Sequence, residues 1–185
     1  MALPVLKDYL PALKPRSQVL IHLVRRVQGL FLQAGNPKGI HGLGDLARAD
    51  VRFVNRQRES GTRLLFDKML SAYSLPPAAV GGYNTEEFTH AAVAAFVASG
   101  MADTGLGVEA AARQFDLDFI PLATERYFLG CAHKALKHDS IKALIDVLKS
   151  TAFHDAVAEL PGYDSKEAGR ILSITEAFPE IAELR

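Results

Sequence analysis

The stretch that most constrains the fold covers residues 51–70, VRFVNRQRESGTRLLFDKML. Its apolar beginning is typical of a short buried strand, its middle is polar, and its end has the apolar spacing of a helix. We expect that helix to start with Ser60, Gly61 and Thr62. The segment therefore predicts a strand, a turn and a helix in direct succession, which is a unit of α/β architecture.

The start of this helix has the residue types of an anion-binding site. The first N–H groups of a helix have no intrahelical partner, and they lie at the positive end of the helix dipole. Serine and threonine hydroxyls add donors, and a glycine lets a ligand approach the backbone. The same residues would also serve as a plain helix cap, and nearby arginines as a solvated rim. Three arginines lie close in sequence, namely Arg56, Arg58 and Arg63.

The composition is that of an ordinary globular protein, with 185 residues and 21 basic side chains against 21 acidic ones. This balance gives no sign of a nucleic-acid or anionic-membrane partner. The single cysteine, Cys131, excludes an internal disulfide and a multi-cysteine metal site, and it fits a reducing compartment. The sequence shows no export signal and no apolar run of the ~20 residues that a membrane span needs. We therefore expect a cytoplasmic chain with no cofactor.

The rest of the chain alternates between predicted strands and helices. Strands are expected at residues 18–24, 29–33, 102–107, 117–123 and 126–131. Helices are expected at residues 43–48, 84–99 and 108–115 and around 141–148 and 153–160, with one more weak helix towards the C terminus. This order predicts an α/β fold with a largely parallel or mixed sheet.

Two of these helices are predicted in more detail. In the helix at residues 84–99, Asn84 and Glu87 have the spacing of a capping box, and Phe88 falls on the apolar face. The helix after Ser60 has an apolar stripe at helical spacing. The members of that stripe are Thr62, Phe66, Met69 and Tyr73.

Motifs for catalysis and for metal binding are weak. Ser60 lacks the first glycine of a nucleophile elbow, and Cys131 with His133 is too local a pair to indicate a catalytic dyad. His133 and His138 are five residues apart, which is off the i, i+4 spacing of a shared metal site on a helix. We therefore expect neither an enzyme nor a metal site.

One pattern keeps an enzymatic alternative open. Gly105, Gly107 and Ala110 fit the dinucleotide-binding pattern at the opening of a predicted helix. The strand before them is short and the helix after them is barely two turns long, so we expect a tight turn there. A dinucleotide-using enzyme is the alternative that this segment supports.

Several sequence blocks occur together between residues 20 and 127. Together they resemble the type II periplasmic-binding-protein-like domain that is fused to molybdopterin biosynthesis proteins and to helix-turn-helix regulators. The blocks are RVQGL at residues 26–30, GNPKGI at 35–40, NRQRESGTR at 55–63, GY at 82–83 with TH at 89–90, ADTGLG at 102–107, and FIPL at 119–122 with ERY at 125–127.

This resemblance implies a two-lobed α/β fold that holds a small ligand between its lobes. It implies a non-catalytic binding domain for an oxyanion such as molybdate or tungstate, or for another small anionic ligand. The duty it implies is sensing or molybdenum-cofactor-related regulation, with no direct contact to nucleic acid or membrane. The ligand-binding residues that it indicates are Arg56, Arg58, Ser60, Gly61, Thr62 and Arg63, with Thr89 and His90 as a second group.

The resemblance also predicts how the chain is divided. Residues 28–123 would form a complete second lobe that carries the Ser-Gly-Thr helix start. Residues 1–27 and 124–185 would form a partial first lobe with the hinge and the C-terminal helices, because the family's N-terminal part is expected to be absent. A homo-oligomer or a partner chain is expected to complete that lobe, or the chain serves as a protein-interaction domain. Glu59 stands where the family pattern predicts a second glycine.

Overall fold

The computed structural model describes residues 13–179, and these residues form alternating strands and helices around a mixed sheet. The strands are β1 (Gln18–Leu32), β2 (Phe53–Arg56), β3 (Glu86–Glu87), β4 (Thr104–Val108), β5 (Asp118–Ala132), β6 (Tyr163–Asp164) and β7 (Ile171–Ser173). The α-helices are α1 (Gly61–Ala72), α2 (His90–Ala98), α3 (Glu109–Gln114), α4 (Asp139–Leu148), α5 (Thr151–Ala158) and α6 (Ile174–Ala177). Short 3-10 helices cover Leu43–Ala47, Pro77–Ala79 and His133–Lys137.

The described residues divide into two compact units. In the first, Val27–Ala123, strand β2 lies between β3 and β4 and is parallel to both. Strand β4 pairs on its other side with the second half of β1, antiparallel, from Gln28 opposite Val108 to Leu32 opposite Thr104. This unit therefore has a mixed sheet, as the sequence predicts.

The two faces of this sheet carry separate cores. Successive side chains of a strand point to opposite faces, so neighbouring residues of β1 enter different clusters. Leu30 packs with Phe53 and with Phe66 of helix α1. Phe31 packs with Val54 and with Val93 of helix α2. Helix α1 thus covers one face of the sheet and helix α2 covers the other.

The second unit contains residues 13–26 and 124–179. Here the first half of β1 pairs antiparallel with β7, and Arg25 and Arg26 pair with β6. Ile21 packs against Leu148 at the end of α4 and against Ala168. The predicted helices at residues 141–148 and 153–160 are confirmed as α4 and α5.

Two pairs of predicted strands are single strands in the structure. The pair expected at residues 18–24 and 29–33 is one strand, β1, and the pair at 117–123 and 126–131 is one strand, β5. In β1, Arg25 and Arg26 continue the ladder because they pair with Asp164 and Tyr163. The break predicted between residues 24 and 29 was therefore wrong, since local sequence does not show which segments supply backbone partners.

The helix expected at residues 84–99 begins later than predicted. It starts at His90, and Thr89 caps it. Glu86 and Glu87 pair instead with Asn55 and Arg56 as strand β3, and Phe88 is 73% exposed. The capping-box prediction was wrong because backbone pairing with β2 fixes these two residues in an extended conformation.

Smaller predictions also fail at element ends. Tyr73 is the C-cap of α1 and is 65% exposed, so it lies outside the buried stripe. The weak helix expected near the C terminus is present as the four-residue helix α6, but in the described residues two short strands, β6 and β7, precede it. Element ends depend on contacts with distant residues, which local periodicity does not report.

Candidate functional site

Helix α1 begins as predicted, with Ser60 as its N-cap. Ser60 has extended backbone angles, φ −71° and ψ 143°, and its hydroxyl accepts a hydrogen bond of 3.1 Å from the Arg63 N–H. The first helical bond runs from the Leu64 N–H to the Ser60 carbonyl, at 3.0 Å. Within residues 13–179, no acceptor is recorded for the N–H groups of Gly61 and Thr62. Two backbone donors therefore remain at the positive end of the helix.

Arg63 has a structural role. Its side chain is 6% exposed, and its guanidinium donates to Asp67 at 3.2 Å and to Glu86 at 3.0 Å. It also donates to the Arg56 carbonyl at 3.3 Å. Burial alone would lower the pKa of Arg63, but contacts with Tyr83, Asp67 and Glu86 hold that pKa above its ordinary value. Its charge is thus permanent and already matched by carboxylates.

Arg56 is buried and connects the two predicted groups of site residues. Its guanidinium donates to the side-chain oxygen of Gln57 at 3.1 Å and to the carbonyl of Phe88 at 3.0 Å. Phe88 directly precedes Thr89, the cap of α2. The structure therefore brings the end of β2 and the start of α2 together through one arginine side chain.

Arg58 differs from the other two arginines because its side chain is 77% exposed. Its contacts are with Glu86, 3.4 Å from the backbone N–H and 3.6 Å from Nε. An exposed ion pair of this length is weak and leaves most of the guanidinium in solvent. Among the three predicted arginines, Arg58 has the charge that a ligand could reach.

Thr89 and His90 lie at the start of the second helix. The Thr89 hydroxyl accepts from the Ala92 N–H at 2.9 Å, so it acts as a cap. His90 is half-buried, and its Nδ1 atom would lie 3.0 Å from a β-carbon built on Gly107.

Because β2 and β3 are parallel, α1 and α2 both begin beyond the carboxyl edge of the same sheet. Ligands of open α/β sheets bind at that edge.

A pocket of about 430 Å³ opens beside the first turns of α1. Its lining mixes both charges with one aromatic ring. Glu59 lies in it with φ +70°, a left-handed conformation that glycine adopts more easily. Burial and a hydrogen bond to Asp67 raise the pKa of Tyr83, so its hydroxyl stays protonated and donates. The lining residues are Arg58, Glu59, Ser60, Arg63, Leu64, Asp67 and Tyr83.

Gln28 lies at the carboxyl edge of this sheet and is not among the site residues predicted from the sequence. Its side chain is fully buried, at 0% exposure, and neither its amide nitrogen nor its amide oxygen has a recorded hydrogen-bond partner within residues 13–179. It stands opposite Val108, the last residue of β4. One signal could have found it, because Gln28 is polar at a position whose strand neighbours at i+2 and i+4, Leu30 and Leu32, are buried core residues.

The two glycines of the pattern that suggested a dinucleotide lie inside strand β4, so the tight turn predicted there was wrong. A β-carbon on Gly105 would lie 2.5 Å from Val93 and 2.9 Å from the Val54 carbonyl. A β-carbon on Gly107 would overlap the ring of Phe31. These glycines allow close packing on the α2 face of the sheet rather than cradling a phosphate.

The described part of the chain has neither a candidate metal site nor a membrane-spanning helix. Residues 13–179 contain no group of three His, Cys, Asp or Glu side chains placed to hold a metal ion. Over the same residues, no helix is long and apolar enough to cross a membrane.

Comparisons with known proteins place the chain among ligand-binding domains. Residues 2–149 match the model of the PBP superfamily domain. The chain is 40% identical over 153 residues to YvgK of Bacillus subtilis (strain 168), an alignment that covers 83% of this chain and 49% of that protein. The chain thus spans about half the length of that relative.

Solved structures show the same fold at low sequence identity. The substrate-binding domain of a molybdenum ABC transporter from Clostridium difficile has a TM-score of 0.57 at 17% identity, covering 89% of this chain and 83% of that one. PEB3 bound to L-phospholactate has a TM-score of 0.57 at 16% identity, covering 78% and 68%. Because residues 2–149 match the family model, the chain belongs to the PBP superfamily of periplasmic-binding-protein-type domains.

Proposed function

We propose that this PBP-type domain binds a small oxyanion of the molybdate or tungstate kind, or another small anionic ligand, without catalysing a reaction. The observation that carries the proposal is the pair of backbone N–H groups at Gly61 and Thr62, which have no acceptor among residues 13–179 and lie at the positive end of a 12-residue helix. Such a helix start attracts anions through hydrogen bonding and through its dipole.

The surroundings of the helix start support this proposal. Gly61 is exposed and has no side chain, so a ligand can approach the backbone closely. Arg58 is the exposed positive charge of the nearby pocket. Glu59 and Asp67 line the same pocket and oppose an anion inside it, so we place the ligand at the Gly61 and Thr62 N–H groups, where the long, exposed side chain of Arg58 contributes its charge.

The biological duty we propose is sensing or molybdenum-cofactor-related regulation in the cytoplasm. It follows from the sequence blocks shared with domains fused to molybdopterin biosynthesis proteins and regulators. The structural neighbours agree with a small ligand, because one belongs to a molybdenum ABC transporter and another holds L-phospholactate. We also propose that a second copy or a partner chain contributes to the assembly.

Titration calorimetry with molybdate, tungstate, sulfate and phosphate tests the proposal. The sharpest variant is Gly61→Pro, since proline is accepted at the first helical position and removes its N–H. Ser60 already has the extended backbone that a residue before proline requires. We expect about tenfold weaker binding from the loss of one hydrogen bond to a charged ligand.

Gly61→Ala is the matched control, because it adds a side chain and keeps the N–H donor. It should bind within about twofold of the unmodified chain if the backbone donor is what matters. Ser60→Ala combined with Thr62→Val tests the hydroxyl groups in the same way. An unmodified chain that gives no binding heat with any of the four anions, at several pH values, would refute the proposal.

A further inference from the structure

In the described part of the chain, strand β5 lies at the end of the strand order and pairs with β1 on one side. None of the residues of β5, Asp118–Ala132, is fully buried, whereas β1 is buried over most of its length. The backbone groups along an open strand edge are a template for another strand, and proline or lysine commonly protects such edges. The part of β5 in the second unit, residues 124–132 (TERYFLGCA), contains neither. We call these residues the open edge.

The apolar core beside the open edge is only half covered. In the cluster that Ile21 forms with Leu148 and Ala168, the partly buried members outnumber the buried ones among the described residues. The opposite holds for the core under α1. Leu129 and Cys131 are the members of this half-covered cluster that lie on the open edge. A strand added at this edge would remove their apolar surface from water, which favours association.

The charges of the open edge exclude most ways of pairing it with a second copy. Two identical antiparallel strands are related by a two-fold axis perpendicular to the sheet, so the residue on the axis faces its own copy. An axis at Glu125 or at Arg126 places like charges opposite each other, and an axis one residue after Leu129 places Arg126 opposite Lys134. Three further axes place a charged or polar side chain opposite Leu129 or Cys131, and these axes lie at residues 127, 128 and 131.

An axis at Leu129 avoids these conflicts. Glu125 of one copy then faces His133 of the second copy, which supplies a hydrogen-bond donor. Tyr127 faces Cys131, and Leu129 faces its own copy. Because Leu129 and Cys131 belong to the half-covered cluster, this register joins the open cores of the two copies on one face of a continuous sheet.

We propose that the open edge pairs antiparallel with the same edge of a second copy, with Leu129 on the two-fold axis. This pairing specifies the surface for the second copy that is part of the proposed function, and it is independent of the anion site. The strand pairing satisfies the backbone groups of the edge, and the joined cores cover Leu129 and Cys131. Since each edge is used once and the contact is self-complementary, the assembly closes at two copies.

A cysteine cross-link tests the register. Facing residues of an antiparallel pair have Cα atoms about 4.5–5.5 Å apart, which is within the range for a disulfide. Cys131 is the single cysteine of the chain, so Tyr127→Cys places a thiol opposite it in the second copy. Within one copy the two positions are about 13 Å apart along the strand and cannot be bridged. After treatment with oxidised glutathione we expect a covalent dimer on a non-reducing gel, and peptide mapping should find the bond between positions 127 and 131.

The matched control for the cross-link is Tyr73→Cys, since Tyr73 is an exposed tyrosine of the first unit. It should give no bond to Cys131. If Tyr127→Cys gives no bond between positions 127 and 131 although the unmodified chain is a dimer, the register is wrong.

Sedimentation equilibrium tests the dimer itself. The unmodified chain should form a dimer, and His133→Glu should weaken it by about tenfold, because a glutamate then faces Glu125 at two symmetric places. His133 is exposed, so the variant should fold normally. His138→Glu is the control, since it makes the same change at another exposed histidine outside the paired segment. It should leave the dimer unchanged.

The outcomes keep this inference separate from anion binding. An unmodified chain that is monomeric at every concentration would overturn the dimer, whatever the calorimetry with anions shows. A dimer that His133→Glu and His138→Glu affect equally would place the contact on another surface and would overturn the role of the open edge. If Tyr127→Cys fails to fold, the two histidine variants still decide. A dimer that binds none of the anions would refute the anion site alone.

Discussion

The guanidinium of Arg63 stacks on the ring of Tyr83, with 4.1 Å between its Cζ atom and the ring centroid. The Tyr83 hydroxyl donates to Asp67 at 2.7 Å, and Asp67 also accepts from Arg63. The three side chains form a closed network that joins α1 to the segment before β3. This network explains why an arginine within the predicted anion site has a structural duty.

Replacing Arg63 should therefore destabilise the fold. Arg63→Ala leaves Glu86 and Asp67 without their buried cation, and we expect a loss of about 3 kcal/mol in the free energy of unfolding. Arg58→Ala is the comparison, and its effect should be at most about 0.5 kcal/mol because the side chain is exposed. Urea denaturation of both variants measures the difference, and similar losses would contradict the structural role of Arg63.

The same two variants should separate stability from binding. Removing the exposed charge of Arg58 should weaken anion binding by about fivefold, as expected for a surface charge at a site of this kind. High salt should reduce that effect because exposed charges are screened. Calorimetry at low and high ionic strength makes the comparison, and an affinity that is independent of Arg58 and of salt would place the ligand elsewhere.

A side chain at Gly105 should disrupt the packing of α2 on the sheet. Its β-carbon would lie 2.5 Å from Val93, in a fully buried strand, so Gly105→Ala should cost about 1–3 kcal/mol. Gly44→Ala is the control, since nothing lies within 4 Å of a β-carbon there. Thermal melts compare the variants. A stable Gly105→Ala protein would show that this glycine is present for another reason.

Acid should weaken the structure through Asp103. Burial alone would raise the pKa of this carboxyl group. Hydrogen bonds from Arg52 outweigh that effect and hold the pKa below its ordinary value. Asp103 accepts from the Arg52 backbone N–H at 2.7 Å and from its guanidinium at 3.0 and 3.1 Å. Because the folded-state pKa is depressed, this stability is present above the unfolded pKa of about 3.9 and is lost as the pH falls through the folded value.

The variant Asp103→Asn tests this acid-dependent loss of stability. The variant should lose about 1–3 kcal/mol at pH 7, because two guanidinium hydrogen bonds no longer have a charged acceptor. Its stability should also depend less on pH below about 4. Chemical denaturation between neutral and acid pH measures both effects, and an unchanged acid slope would assign the dependence to other carboxylates.

A buried histidine of the second unit should add a separate acid response. His22 is 1% exposed, and burial lowers its pKa, although Glu167 at 4.0 Å partly opposes this and Arg25, Arg126 and Arg170 add to it. The folded protein therefore resists protonation of His22, whereas the unfolded chain takes up a proton near its ordinary pKa of about 6.5. Stability should be retained above that pH and fall as the pH drops below it.

His22→Leu should flatten this response, since leucine does not titrate. The ring of His22 packs edge-on against Phe128 at 5.1 Å, so an apolar replacement keeps an apolar contact there. Melting temperatures at pH 7.5 and 5.5 should differ less for the variant than for the unmodified chain. The same difference in both proteins would contradict a role for His22.

The helix start at Ser60 could be predicted because several local signals agree there. The apolar spacing of Phe66 and Met69, the capping serine and the strand before it all lie within twenty residues, and the helix appears where they indicate. The α/β class follows from the same kind of signal. Local propensity succeeds where the contacts that stabilise an element are themselves local.

Prediction from local sequence failed where contacts with distant residues fix the backbone conformation. Glu86 and Glu87 have good residue types for a helix start, but their N–H and C=O groups lie beside Asn55 and Arg56 and form a strand. Gly105 fits a nucleotide motif in sequence, but Val93 from helix α2 packs where its side chain would be. The sequence around Glu86 does not show that β2 lies beside it, and the sequence around Gly105 does not show that Val93 packs against it.

The sequence by itself determined the α/β class, the helix that follows Ser60 and the family resemblance, because each depends on short-range periodicity, capping or shared blocks of residues. Tertiary structure alone decided which charges are already matched and which polar groups are not. It buries Arg63 against Glu86 and leaves Arg58 exposed, and it brings Gln28 to the edge where α1 begins. The physical reason is that burial and hydrogen-bond satisfaction depend on residues distant in the chain, whereas propensity depends on neighbours.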